Sequence, residues 1–347
     1  MYAERKAFYR RIQAKRHSQV IAIVTGDRPG QEAQIAKDIV DLLGPLLDKL
    51  RNPQKISLVL YTQGGDIIAA WSLVKLLREF CDDLEVILPS KCFSAGTLIC
   101  LGADRIVMAK QSCLGPIDPS INGPLNPKVQ IPGVGEQAIP LSVEEVAGYM
   151  ELATSEGQIP KEGLASVFLK LASDVHPLAL GRVKRARKQI QDLAHKLLAK
   201  HMTDATQREK IIKILCSEAG SHDYAIYRTE ARQELGLNIE TPTLALYRDM
   251  RDVLVDVRAE LELGSPFNLG AIAAQTPVPP PAAGQPQPGI QLPQPGVQYE
   301  SVRVLVETAT QGGYRYVTRG TVARAVQATG NIVLNHAVQF DGWENVP

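Results

Sequence analysis

Lys91-Cys92-Phe93-Ser94-Ala95-Gly96-Thr97-Leu98 comes soon after a β-branched run and opens a helical pattern. A turn of this kind holds a side chain at the end of a parallel sheet, where open α/β folds take their ligands. Ser94 is the candidate nucleophile there. Ala95 and Gly96 are small enough for a substrate backbone to approach, and free amides at a helix start can stabilise an oxyanion. A serine so placed also serves as a plain helix cap, and the local residues leave both roles open. Upstream, Tyr61-Thr62-Gln63-Gly64-Gly65-Asp66 ends a run with paired glycines. Glycine can turn a backbone N–H toward a bound carbonyl where a side chain would obstruct it. Gly65 and Ala95 then form a candidate oxyanion hole supported by Gly64 and Gly96, the alternative being a tight strand-to-helix turn with no ligand. Downstream, Cys113-Leu114-Gly115-Pro116-Ile117-Asp118-Pro119 supplies a carboxylate. Asp118 could orient a histidine and stabilise its cation during acyl transfer, or simply form a turn before proline.

The segments that must position these residues alternate short β-branched runs with longer helical patterns from Gln19 to about Ile239, which predicts an α/β domain with parallel strands. Strands are expected at 20–24, 56–61, 84–88 and 105–108. Helices are expected over 31–50, where Ile35, Ile39, Leu42, Leu43 and Leu46 recur at helical spacing, over 67–80, and from about Ser94. Residues 119–141 read as a long loop with room for a short hairpin. Ser142 with Glu145 is a capping box for a helix to about Leu152. Further helices fit 177–200, with a narrow apolar stripe of Val183, Ile190, Leu193, Leu197 and Leu198, then 206–219, 229–235 and 244–261. Eight prolines between Gln275 and Gln298 suit an extended linker rather than a packed core. Alternation resumes at Val302, Val304 and Val306 and again at 332–334. The expected organisation is a basic N-terminal helix (1–17), a large α/β domain (18–265), a Pro-rich linker (275–298) and a small β-rich C-terminal domain (299–347).

Composition narrows the function classes. With 38 Lys and Arg against 37 Asp and Glu, net charge is +1, so no global field draws in nucleic acid. The cations Arg5, Lys6, Arg10, Arg11, Lys15 and Arg16 read as a solvated helical face. Five cysteines without CxxC or Cys/His ligand spacing argue for a reducing cytoplasm and no structural metal. No segment offers the ~20 apolar residues of a membrane span, and no GxGxxG fingerprint suggests a nicotinamide cofactor. No cofactor is expected.

The segments TQGGD, FSAGTLI, GADRIVM and LGPIDPSI, in this order and at these separations, resemble the serine dehydrogenase proteinase family, distant relatives of the Clp proteolytic subunit within the ClpP/crotonase-like superfamily. Similarity continues through Asp174-Val175-His176-Pro177-Leu178-Ala179-Leu180-Gly181 and through Ser221-His222-Asp223-Tyr224 with Glu230-Ala231 and Leu235-Gly236-Leu237, covering roughly residues 18–245. The resemblance implies a ClpP/crotonase-like fold and a serine endopeptidase with a triad of Ser94, Asp118 and His222, His176 being the alternative base. In this arrangement His222 takes the Ser94 proton and Asp118 fixes the imidazole tautomer. Gln63 departs from the family, which usually has proline before the paired glycines; loss of that fixed φ could loosen the turn. Peptides or unfolded proteins are the implied substrates. The long helix resembles the handle of Clp-type subunits and implies a homo-oligomer, while residues 299–347 could bind a partner protein. Two other classes compete: a non-catalytic assembly module on the same fold, and a crotonase-like acyl-CoA enzyme, which usually needs no serine nucleophile.

Overall fold

The computed structural model describes residues 1–50, 53–117, 120–131, 135–218, 224–275, 296–326 and 332–347. The first half runs α1 (Tyr2–Arg16), β1 (Gln19–Thr25), α2 (Lys37–Asp48), β2 (Lys55–Tyr61), α3 (Ile67–Phe80), β3 (Asp83–Leu88), β4 (Lys91–Cys92), α4 (Ala95–Leu101), β5 (Arg105–Met108) and β6 (Cys113–Leu114). An excursion follows with β7 (Ser120–Ile121), β8 (Lys128–Ile131), β9 (Gly135–Ala138), β10 (Leu141–Ser142), α5 (Val143–Glu151), α6 (Leu164–Asp174) and α7 (Pro177–Leu198). The chain returns through α8 (Ala205–Lys213), β11 (Ile226–Tyr227), α9 (Arg228–Gln233), β12 (Ile239–Glu240), α10 (Leu244–Glu260) and α11 (Leu269–Ala273). It closes with β13 (Val297–Thr308), β14 (Gly313–Val326) and β15 (Ile332–Val346).

The expected α/β architecture is present as an eight-stranded sheet in the order β12-β5-β3-β2-β1-β13-β14-β15. Its β12 to β1 half is parallel. Successive residues of a strand face opposite sides, so each central strand feeds two cores. Ile21, Ile23, Leu58, Leu60, Val86 and Leu88 pack with α2, α3, α4 and the second half of α7. Val20, Ala22, Val24, Val59, Tyr61 and Ile87 pack with α1 and α10. Burial on both faces explains why these strands read as continuous apolar runs.

Three differences from expectation have physical causes. First, α2 begins at Lys37 rather than near 31 because Ile35 is already engaged: it forms a parallel bridge with Gly65, which leaves 26–36 as a loop over the sheet end. Second, α1 is not a solvated basic face. Arg5 is fully buried and pairs with Glu307, Asp256 and Glu260. Arg16 forks onto the buried Glu85. Third, the C-terminal region has the β-rich character expected, yet its strands extend the main sheet, since β13 pairs antiparallel with β1 from Thr308 against Ile21 to Val304 against Thr25. Val304 and Val306 enter one core, Val302, Leu305 and Val317 the other. The Pro-rich segment 276–295 lies outside the described residues. Among those described, no helix is long and apolar enough to cross a membrane.

Candidate active site

At the carboxyl ends of β2 and β4, two turns meet. Thr62 forms a parallel bridge with Cys92, Thr62 N–H donates to the Lys91 carbonyl (3.3 Å) and Phe93 N–H donates to the Thr62 carbonyl (3.1 Å). The two-glycine turn and the serine turn are thereby laced side by side. Ser94 has φ 50° and ψ −115°, one of four non-glycine residues with positive φ among those described. Such a backbone costs on the order of 1–3 kcal/mol and persists only where its surroundings hold it. Ser94 sits at the N-cap of α4, but its side chain caps nothing there, so the plain capping role is not the one it plays.

Gly64 and Gly65 have φ of 118° and 145°, which side-chain-bearing residues rarely adopt. A Cβ on Gly64 would lie 2.7 Å from Ser94 Cβ and 3.3 Å from Ser94 Oγ. A Cβ on Gly65 would fall inside the Ile35 backbone, and one on Gly96 would fall among the Thr62 and Cys92 side chains. The Gly64 N–H is taken by Thr62 Oγ1 (2.9 Å). Ile35 N–H donates to the Gly64 carbonyl and Asp66 N–H to the Ile35 carbonyl, both at 2.8 Å. These bonds leave the Gly65 amide between two fixed neighbours, near the Ser94 turn that carries Ala95.

The sequence did not reveal the residues that hold these turns. Thr62 Oγ1, fully buried, shares a hydrogen bond with Thr25 Oγ1 (2.7 Å) while it accepts from Gly64. Thr97, near the start of α4, shares its single hydroxyl proton between the Cys92 and Gly115 carbonyls (3.0 and 2.7 Å), and its oxygen accepts the Gly115 N–H (3.2 Å). A buried hydroxyl beside a glycine turn is the only signal either gives. Asp27, just beyond β1, accepts from Tyr61 Oη (2.8 Å) and Gln63 Nε2 (3.1 Å) and pairs with Lys91. Burial opposes the Asp27 charge, but Lys91, Tyr61 and Gln63 together hold its carboxyl below the usual range. Burial, and then the Asp27 carboxylate, push the Tyr61 phenol up, so it remains a donor. Gln63, which stands where the family resemblance leads one to expect proline, thus ties the turn to Asp27 through its side chain.

The structure brings Ser94, Ala95, Gly64, Gly65 and Gly96 together. Asp118 and His222 lie outside the described residues. Described residues before Asp118 and on both sides of His222 share a frame: β6 pairs with β4 on one side and with β11 on the other, and Ile117 N–H donates to the Leu215 carbonyl (2.8 Å). His176 is exposed and caps α7, its Nδ1 accepting the Leu178 N–H (3.2 Å). No hydrogen bond joins it to Ser94. Among the described residues, no cluster of three or more His, Cys, Asp or Glu could hold a metal ion.

Residues 1–134 match the family model of ClpP-like SDH-type serine proteinases. That span includes the two-glycine turn and Ser94 and ends before His176 and His222. Two uncharacterized proteins of Methanocaldococcus jannaschii are 29% and 27% identical over 186 and 189 residues, 54% of this chain in each case. The chain spans about half the length of these curated relatives, 54% and 52%. A solved ClpP1 point mutant from Listeria monocytogenes aligns over 65% of this chain and 94% of its own at 14% identity, with a TM-score of 0.35.

Proposed function

We propose that the chain is a serine endopeptidase that hydrolyses peptide bonds through an acyl-enzyme on Ser94. The observation that carries this is a strained, partly exposed serine whose hydroxyl does not cap its own helix and lies against a two-glycine turn. In the cycle, Ser94 Oγ attacks the peptide carbonyl carbon while its proton passes to the imidazole of His222, oriented by Asp118. The amides of Gly65 and Ala95 stabilise the oxyanion. The proton then leaves with the departing amine, and water, activated by the same imidazole, releases the acyl group. The common frame of β4, β6 and β11 supports Asp118 and His222 for these roles. The capping bond of His176 favours a structural role for it.

Self-association and unfolded-peptide substrates belong to the same proposal. α6 buries none of its residues, and its Phe168 and Leu169 are exposed together with Leu178 on α7, which suits contact with another copy. The five cysteines are all free and buried, which fits a reducing cytoplasm.

A fluorophosphonate probe tests the assignment. Stoichiometric labelling of the intact protein, lost in Ser94→Ala, is expected; absence of labelling in folded protein returns the chain to a non-catalytic module or an acyl-CoA enzyme. His222→Ala should abolish labelling and His176→Ala retain most of it, and the reverse pattern moves the base to His176.

A further inference from the structure

The loop 26–36 is where the C-terminal strands reach the glycine turn. β13 shifts register between Val302 and Val304, so Arg303 is the bulged residue. A bulge re-aims both the backbone and the side chain of the residue it frees. Here the Arg303 carbonyl accepts the Gly26 N–H (2.8 Å), and Ala33 N–H closes the loop onto the Gly26 carbonyl (2.8 Å). The Arg303 guanidinium donates through Nη2 to the Glu32 carbonyl (2.7 Å) and through Nε to the Gln31 carbonyl (3.3 Å). A few residues on, Ile35 clasps the turn by its bonds to Gly64 and Asp66. The bulge is therefore linked, through the loop backbone from Ala33 to Ile35, to the peptide plane whose other side carries the Gly65 amide.

We propose that Arg303 is a positioning residue for the candidate oxyanion turn, so that the C-terminal strands, beyond the family-matched span 1–134, set the acylation rate at Ser94. The inference rests on the peptidase reading and adds to it a control element outside the matched region. Arg303 suits the role because its planar fork spans two adjacent carbonyls, whereas a lysine ammonium reaches one at a time. Its side chain is about a quarter exposed (27%), and the loop is also tied by Phe267 N–H to the Pro29 carbonyl and by Arg28 to the Ser265 carbonyl. Arg303→Ala therefore keeps these ties and the Gly26 bond to its carbonyl while loosening the clasp, and it also gives up the guanidinium's contacts with Tyr316 and Asp341.

The test uses the full chain and two readouts, the fluorophosphonate labelling rate of Ser94 and amide hydrogen exchange over residues 62–66. Arg303→Ala is expected to slow labelling about tenfold, equivalent to about 1.4 kcal/mol, and to speed exchange at Asp66, with the thermal midpoint nearly unchanged. Arg303→Lys falls between. A merely structural Arg303 would instead lower the thermal midpoint with no selective change of exchange at Asp66. Unchanged labelling in Arg303→Ala, or slower labelling with exchange at Asp66 unchanged, overturns the proposal. If the wild-type protein takes no label, the peptidase reading is the part that fails. Exchange at Asp66 then decides the coupling alone: faster in Arg303→Ala upholds it, and unchanged removes it.

Discussion

Gly64→Ala places a methyl group where the structure leaves no room. The new Cβ would stand 2.7 Å from Ser94 Cβ and 3.1 Å from the Phe93 carbonyl oxygen, against about 3.5–4.0 Å for carbon atoms in contact. The serine turn must then retreat by roughly 1 Å. Two costs combine: about 1–3 kcal/mol for holding a side-chain-bearing residue at φ 118°, and about 1–3 kcal/mol for overpacking. A total loss of ~2–6 kcal/mol is expected in urea denaturation. The consequence for chemistry is of similar size, since a misplacement of about 1 Å can cost on the order of 100-fold in rate, about 2.7 kcal/mol; labelling of Ser94 should fall by about that factor in molecules that remain folded. Gly181→Ala is the matched control. It lies inside α7 with nothing within 4 Å of an added Cβ, and should stabilise by about 0.5–1 kcal/mol with labelling unchanged. Wild-type labelling and stability within about 0.5 kcal/mol for Gly64→Ala would refute the claim that this glycine exists to admit Ser94.

Thr62→Val keeps the shape but leaves the buried Gly64 N–H without its acceptor; a loss of about 1–3 kcal/mol in chemical denaturation is expected, with slower labelling. Asp27 contributes a pH-dependent share of stability. Its folded pKa lies below the ordinary 3.8, so the contribution is complete above the unfolded value and is lost as pH falls through the lower folded one. The stability gap between wild type and Asp27→Asn should therefore be flat across about pH 5 to 7 and shrink only in stronger acid, as read from denaturation midpoints. Truncation after residue 275 removes β13, uncovers the β1 edge from Ile21 to Thr25 and strips Arg5 of the buried Glu307; size-exclusion chromatography should show aggregation, and a stable monodisperse fragment would contradict it.

The chemistry-bearing residues were legible because each needs a rare local composition: paired glycines at a strand end, and a serine between small residues at a helix start. The parallel strands were legible for a related reason, since burial on both faces leaves an uninterrupted β-branched run in β1, β2 and β3. The holders of the site were not. Thr62 and Thr97 look like any buried threonine, and Asp27 acts on Gln63 and Lys91 across large gaps in the sequence. β13 shows the alternation of a strand but carries nothing to say that its partner is β1, because a pairing between strands so far apart in sequence is chosen by the whole sheet and not by local residues. Likewise the periodicity of 31–36 is helical, and only the tertiary bridge from Ile35 to Gly65 withholds those residues from α2.

A strained serine implies restraints stronger than the strain, and their distribution decides where function is vulnerable. Thr97 ties α4 to the Cys92 and Gly115 carbonyls, Thr62 fixes the facing turn, and the loop 26–36 clasps that facing turn through Ile35. Each restraint is an ordinary hydrogen bond worth about 0.5–1.5 kcal/mol net, so no single one balances a distortion on the order of 1–3 kcal/mol. Several must act together. Losing one should therefore relax the geometry of Ser94 before it unfolds the sheet, since β1, β2 and β3 are held independently by two buried cores. Substitutions at Thr62, Thr97, Asp27 and Arg303 fall in this class: their effect on the rate at Ser94 should exceed, in energy, their effect on global stability, which is the reverse of what substitutions in the strand cores would do.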